Sequence, residues 1–392
     1  MSEKKFIAIV GAGGIGRAAG LILAASDQLS CEIFIGDVNS ETANEAARWI
    51  EEGCGRPAAQ AFTMPWEGAD EAMIAIFEKC DIVLDCLPGS QAPRIARLAR
   101  QYRLHYANLT EYVKETEEVT RIATDAPTGF ILQTGLAPGF INVLGSKLYQ
   151  DFCAANQVEK VKKISMKVGA LTRNAEPPYF YGFTWSPVGV ATEYLKDTIV
   201  IRKGRKRSLP ALSELSTIII DGVTYEDNLT SGGAADLPDA FEGKVVDLDY
   251  KTLRYPGHYK WVQRTLADIP DNEERVKKLQ DIMQETIPSV EDDMVIVYAS
   301  VCGKDHKGIL RAIEKSYHIK PVTIGTKTLR AIQSTTAAPL CEAAYMLLTG
   351  QWTGPVFQSQ IDADAFINGP FVSAIYGKWA EEVDEKNGVV AG

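Results

Sequence analysis

The chain has 392 residues, more than one typical domain needs and enough for two cores. With 46% hydrophobic and 23% charged residues it has the balance of a globular protein, which excludes fibrous and disordered classes. No apolar run approaches the ~18 residues of a membrane span, and the net charge of −10 argues against a nucleic-acid partner.

The one basic run, Arg202-Lys203-Gly204-Arg205-Lys206-Arg207, reads as a solvated hairpin tip between β-like stretches. Cys31, Cys54, Cys80, Cys86, Cys153, Cys302 and Cys341 form no Cys-x-x-Cys and sit mostly beside apolar residues, as reduced cytosolic thiols do. His105, His258, His306 and His318 are equally scattered, so no metal site is expected. Met1 to Lys5 leads straight into a strand-like run and does not read as a signal peptide, and a cytoplasmic protein is expected.

In chain order, Phe6 to Val10 is a continuous apolar run, the mark of a buried parallel strand. Ile15 to Ala25 is a helix, Glu32 to Gly36 a strand, and Glu41 to Glu52 a helix closed by Gly53. Alternation continues with strands Ala58–Phe62, Asp81–Cys86, His105–Leu109 and Gly129–Gln133 and helices Asp70–Lys79, Gln91–Gln101 and Val113–Thr124. Strand and helix in strict alternation predict an α/β, Rossmann-type, doubly wound parallel sheet. From about Val158 to Thr326 the runs lengthen and alternate apolar with polar residues, as in Val161–Val168 and Asp293–Ala299, with turn signals at Asp221-Gly222 and Gly303-Lys304-Asp305. An antiparallel sheet with one wet face is expected there, in an inserted α+β domain. Thr335 to Leu348 turns helical again and is expected to pack back on the first domain. The expected division is 1–135 plus about 330–392 for the nucleotide domain and 136–329 for a substrate and dimerisation domain, with the Gly135-to-Gly139 loop crossing between them.

Directly after the first strand stands Gly11-Ala12-Gly13-Gly14-Ile15-Gly16, a G-x-G-x-x-G flanked by strand and helix as dinucleotide binding requires. Gly11 permits the tight turn, Gly13 lets backbone approach the pyrophosphate, Gly16 lets helix and strand pack, and Gly14 and Ile15 open the helix that faces the phosphates. The second strand ends at Asp37, 21 residues after Gly16. A carboxylate there accepts from the ribose hydroxyls and repels a 2′-phosphate, while Val38 and Asn39 supply no cation for one, so NAD is favoured over NADP. The fourth strand runs through Cys86 into Leu87-Pro88-Gly89-Ser90, a loop expected to pass along the cofactor, although Pro-Gly is also a plain turn signal.

Several segments together resemble the saccharopine dehydrogenase family, and within it the lysine 6-dehydrogenase branch. They are Gly11–Ala19, Asp81–Gly89, Gly135–Asn142, Phe183–Pro187 with Glu193-Tyr194, Pro210–Ser213, Thr230–Gly233, Lys251–His258 and Thr335–Ala338. The resemblance implies a Rossmann domain completed by the C-terminal segment, an inserted substrate domain, NAD(P)-linked chemistry at an amino acid's C–N bond, and a homodimer. One departure is Asn108, where similar members often carry Asp.

Oxidising a C–N bond calls for a hydride acceptor, a base, and a cation for the substrate carboxylate, for which Arg is the best bidentate partner. Arg254 is the candidate clamp and His258 the candidate acid/base, with Tyr255 and Lys251 as rivals; an ordinary salt bridge and a helix cap are the competing readings. Thr230 and Ser231 precede a glycine pair and are candidates for substrate contact or a plain turn. Trp185 packs either on a ligand or in a core, and Asn142 lies either near substrate or on a helix's polar face. The expected activity is NAD-dependent oxidative deamination of the lysine side-chain amine, with saccharopine as the alternative substrate and a non-catalytic NAD-binding scaffold as the alternative class.

Overall fold

A computed structural model of the protein describes residues 3–111 and 113–379. The chain divides into two compact units, one of residues 1–140, 322–329 and 333–392 and the other of residues 141–321 and 330–332. The first boundary falls at residue 140 where 135 was expected, and Val322–Leu329 go with the first unit rather than the second.

In the first unit the strands are β1 (Lys5–Val10), β2 (Cys31–Asp37), β3 (Ala59–Thr63), β4 (Ile82–Asp85), β5 (His105–Asn108) and β6 (Gly129–Ile131). Helices α1 (Gly14–Ala25), α2 (Ser40–Cys54), α3 (Glu71–Phe77), α4 (Ala92–Gln101) and α5 (Val113–Ala123) alternate with them. The polar starts of α2 and α3 supply side-chain caps: the Asn39 side chain accepts from the Glu41 and Thr42 amides, and Asp70 accepts from the Met73 amide. The inner strands β1, β2 and β4 are buried along most of their length, as strands covered on both faces are, while β3 at the edge keeps exposed positions, and the pairings among β1 to β6 are parallel.

The second unit begins on α6 (Phe140–Asn156), which starts at the last residue of the first. Its strands are β7 (Val161–Thr172), β8 (Thr198–Arg202), β9 (Arg205–Leu209), β10 (Ser216–Ile220), β11 (Val223–Leu229), β12 (Val245–Arg254), β13 (Asp293–Lys304) and β14 (Leu310–Ile319). The helices are α7 (Pro187–Leu195), α8 (Leu237–Ala240), α9 (His258–Ala267) and α10 (Arg275–Thr286). The chain returns to the first unit through a small hairpin, β15 (Val322–Ile324) and β16 (Lys327–Leu329), and through α11 (Ala331–Thr349), which belongs to it from Gln333 onward. There the Cys341 thiol meets the Ala19 carbonyl of α1. Strand β17 (Gly354–Val356) then adds to β6, and α12 (Ala363–Ile367) and α13 (Pro370–Tyr376) end the described chain. The finished parallel sheet runs β17-β6-β5-β4-β1-β2-β3, so the order reverses between β1 and β4.

The second sheet is mixed, which corrects the antiparallel expectation. Its central path is β10-β11-β12-β7-β13-β14, and β12 pairs with β7 in parallel while the other neighbours are antiparallel. Two-residue alternation says which face a side chain takes and nothing about the direction of the neighbouring strand. The expected wet face is also dry at the centre: Ser165 and Lys167 of β7 and Asp249 and Lys251 of β12 are all buried. Their polarity is absorbed internally. Asp227 takes the Lys167 ammonium at 2.8 Å and the Lys251 ammonium at 3.0 Å. The basic run does form a hairpin, β8 and β9, turning at Lys203 and Gly204 with φ of 54° and 77°. Such angles suit the tight turns that match strand twist.

Burial opposes the charge on Asp227, and the two lysines outweigh it, holding its carboxyl below the usual carboxylate range. Removing that carboxylate strands two buried ammonium groups. Asp227→Ala is expected to cost about 3–5 kcal/mol, read as a lower midpoint of chemical unfolding. An unchanged midpoint would show that the cluster contributes nothing.

Candidate functional site

The nucleotide half is built from backbone. Gly11 has φ of +96°, and a Cβ on it would lie 2.8 Å from the Cys86 carbonyl oxygen at the mouth of the β4 loop. A Cβ on Gly16 would lie 1.9 Å from the Gly11 carbonyl oxygen, so α1 presses directly on the turn. A Cβ on Gly13 would meet nothing within 4 Å. Gly13 is therefore required by no packing in the protein itself, and the space beside it at the start of α1 is what a pyrophosphate needs. Gly14 and Ile15 form the first turn of α1, with the Gln333 side chain donating to the Gly14 carbonyl at 3.3 Å.

Asp37 ends β2 beside this turn. Its Oδ2 accepts from the Ala12 amide at 3.0 Å and its Oδ1 from the Asn39 amide at 3.1 Å, which orients the carboxylate at the carboxyl edge of the sheet. Leu87 and Pro88 follow β4, and the Leu87 amide donates to Asp85 at 3.1 Å. Asp85 also accepts from the Tyr106 hydroxyl at 2.8 Å, and burial pushes its carboxyl up to about 6. The Cys86 thiol is pushed far up by burial and is no nucleophile. The residues present thus fit a dinucleotide.

The second unit holds a different arrangement around Arg254, the last residue of β12, which is 1% exposed. Its guanidinium lies 4.6 Å over the Tyr181 ring and 5.6 Å from the Tyr194 ring. Nε donates to the Tyr194 hydroxyl at 2.8 Å and Nη1 to the Leu253 carbonyl at 2.9 Å. Among the described residues Nη2 makes no hydrogen bond, and no carboxylate stands within ion-pair distance. Burial works against the charge, yet Tyr194, Tyr181, Tyr259 and Glu193 around it hold the guanidinium protonated.

His258 continues the chain. Its Nε2 stands 2.9 Å from the Tyr194 hydroxyl and its Nδ1 2.7 Å from the Tyr179 carbonyl. A carbonyl only accepts, so Nδ1 carries the ring proton. The Tyr194 oxygen already accepts from Arg254, so its own hydrogen points to Nε2. Burial first, then the Arg254 charge, push His258 down to about 3. Both nitrogens are engaged, so in this arrangement His258 orients the Tyr194 hydroxyl, which in turn accepts from Arg254.

The rivals lie elsewhere. The three hydrogens of the Lys251 ammonium are matched by Asp227, the Glu214 carbonyl and the Ser216 hydroxyl, so it is a structural cation rather than a base. Tyr255 stacks on Tyr225 at 5.7 Å, turned away from the arginine chain. Thr230 shares a hydrogen bond of 2.7 Å with Thr252, and the Ser231 amide donates to the Glu193 carbonyl at 3.1 Å. Asn142 donates to the Gly233 carbonyl at 3.0 Å. Trp185 packs over Gly189 of α7, where a Cβ would lie 2.3 Å from its ring. Thr230, Asn142 and Trp185 thus have internal partners of their own. Tyr179 and Tyr181 had no role in the sequence reading, because an aromatic run such as Tyr179-Phe180-Tyr181 is indistinguishable there from core, and Tyr194 entered only as part of the resemblance.

Residues 135–378 match the family model of the saccharopine dehydrogenase C-terminal domain, and residues 7–131 match that of the saccharopine dehydrogenase NADP binding domain. The chain belongs to the saccharopine dehydrogenase family. It is an NAD(P)-binding oxidoreductase of that family. Among solved structures it is similar to apo saccharopine dehydrogenase (L-Glu forming) from Saccharomyces cerevisiae, at 14% identity and a TM-score of 0.72, over 95% of this chain and 98% of that one. It is also similar to homospermidine synthase from Legionella pneumophila in complex with NAD, at 13% identity and a TM-score of 0.68, over 96% and 90%. At these identities the likeness is one of fold.

Two outcomes test this geometry. Gly13→Ala is expected to leave the unfolding midpoint of the free protein unchanged while weakening dinucleotide binding about tenfold or more, a loss of at least ~1.4 kcal/mol by calorimetry. Gly16→Ala should instead lower the midpoint; equal behaviour of the two variants would refute the assignment of Gly13. For His258, the folded value of about 3 lies below the ordinary imidazole value of 6.5. As pH falls through 6.5 toward 3, the unfolded chain takes up a proton that the folded site refuses, so stability is lost on acidification. His258→Gln removes that titration and should flatten the stability-versus-pH curve over this window; parallel curves would mean that the ring is not held neutral.

Proposed function

We propose that the protein is an NAD-dependent dehydrogenase that oxidises the C–N bond at the side-chain amine of a free amino acid, with lysine as the substrate. The observation that carries this reading is Arg254. Among the buried cations of the described residues, Lys147, Lys167 and Lys251 each have a carboxylate partner, and Arg254 has none. A buried guanidinium without an anion is costly, and one carboxylate supplied by a ligand at Nη2 offsets that cost. A substrate with a single carboxylate and a distant amine suits one such cation. Saccharopine, the alternative, carries three carboxylates and calls for more. The same demand for an anion favours turnover of an amino acid over a scaffold that binds only the nucleotide.

When bound, the nicotinamide accepts the hydride. The chain's own residues do the rest: Gly11 to Gly16 admit the phosphates, Asp37 favours ribose hydroxyls over a 2′-phosphate, and the Tyr179–His258–Tyr194 chain fixes the Arg254 fork. NAD is accordingly the proposed cofactor, against a family model described as NADP binding.

The test is a screen of lysine, ornithine, diaminopimelate and saccharopine at alkaline pH with NAD and with NADP, following reduced-cofactor absorbance. Lysine with NAD should give the highest kcat/KM, and saccharopine should give the highest if the secondary-amine reading holds. Arg254→Ala is expected to lower kcat/KM by about 30- to several-thousand-fold, chiefly through KM, since losing a hydrogen-bonded charge pair costs roughly 2–5 kcal/mol. NAD affinity should stay the same. Intact kinetics in a merely destabilised variant would make the arginine structural, and absence of turnover with every amine would favour the scaffold.

A further inference from the structure

The pairing of β11 with β12 sets Glu226 directly opposite Arg254, and Asp227 opposite Leu253. Side chains alternate along both strands, so Glu226 shares the face of Arg254. Asp227 takes the other face, with Lys167 and Lys251. These two adjacent acids are treated differently. Asp227 is matched by both ammonium groups on its side. Glu226 is half-buried, and among the described residues it forms no ion pair. Its Oε2 is shut off from water and has no hydrogen-bond partner there.

Directly opposed residues of an antiparallel pair have Cβ atoms about 4.5–5.5 Å apart, within easy reach for a glutamate and an arginine. These two do not join. The Arg254 fork is turned instead to the Tyr194 hydroxyl and the Leu253 carbonyl, with its plane against the Tyr181 ring. Glu193 of α7 also acts on Arg254, but it is engaged within the chain. One face of the sheet thus carries a cation and an anion side by side, each without its counter-charge. Leaving a charge desolvated and unmatched is costly, and a ligand that brings both opposite charges removes the cost at both places. The head group of a free α-amino acid has that form: a carboxylate and an ammonium on one carbon.

We propose that Glu226 is a specificity residue whose carboxylate takes the α-ammonium of an amino acid while Arg254 takes its α-carboxylate. This rests on the reading of Arg254 as the carboxylate clamp and narrows it. The substrate class becomes the α-amino acids, to the disadvantage of ω-amino acids and plain carboxylic acids, and the side-chain amine is left free for oxidation.

Two unreactive probes test the head group without turnover. Norleucine carries both charges and no side-chain amine, and hexanoate lacks the α-ammonium. With NAD present, calorimetry should find norleucine bound about tenfold or more tighter than hexanoate, the worth of a charge-assisted hydrogen bond. Glu226→Gln should abolish that preference without lowering the unfolding midpoint, because the carboxylate has no partner in the free protein. Glu226→Asp, which keeps the charge, should restore part of it. In turnover, the preference for lysine over 6-aminohexanoate should fall about tenfold or more in Glu226→Gln, through KM rather than kcat. Only this last arm rests on the dehydrogenase reading: a norleucine preference without oxidation of lysine would defeat that reading and support the role of Glu226. Equal affinities for the two probes in the unmodified protein would overturn the proposal even if no variant folds. So would a preference that survives Glu226→Gln, or a lower midpoint with both probes weakened alike.

Discussion

A Cβ on Gly16 would lie 1.9 Å from the carbonyl oxygen of Gly11, and the first unit is organised around the absence of that atom. With hydrogen in its place, α1 packs on the turn that leaves β1, and its first amides are left at the carboxyl edge of the sheet. The same turn brings Gly11 against the Cys86 carbonyl, which fixes where the β4 loop begins. It also presents the Ala12 amide to Asp37, tying the end of β2 to the same spot. One backbone contact thus aligns three strand ends and one helix end at a single place, and space beside Gly13 is what remains in the middle.

In the second unit the governing cost is that of charge taken out of water. Two solutions stand along β12. Lys167 and Lys251 share the Asp227 carboxylate and are complete within the chain. Among the described residues Arg254 touches a tyrosine hydroxyl, its neighbour's carbonyl and two ring faces, with Glu193 acting on it from beyond ion-pair distance. Ring faces and neutral hydroxyls soften the burial of a guanidinium without neutralising it. The first arrangement reads as architecture and the second as a half-made pair. Along the Tyr179–His258–Tyr194–Arg254 chain each group has a single donor and acceptor assignment, which holds the arginine in one place.

Much of the first unit was legible from residues alone, because local signals there agree with the tertiary structure. Apolar runs of strand length, alanine-rich helices and short polar links leave few alternatives to a parallel sheet. The G-x-G-x-x-G could be read position by position, since each glycine answers a steric demand of the turn it occupies. The second unit was legible only as alternation. Period two placed Ser165 and Lys167 on one face but could not say that β12 would lie beside β7 in parallel, nor that the face would be dry. Lys251, within the motif that also holds Arg254, looked like a functional cation until Asp227 from β11 was brought against it.

What the sequence determined by itself was therefore the class of the first unit, the glycine turn, the carboxylate at the end of β2, and the segment in which Arg254 stands. Tertiary structure alone decided which of the charged residues in that segment is left without an anion. It also decided that His258 is neutral, with both nitrogens in use, and that Glu226 stands opposite Arg254 without joining it. The reason is common to all three. Charge state and hydrogen-bond direction depend on which atoms of distant segments stand within about 3 Å, and no local pattern in the chain encodes that distance.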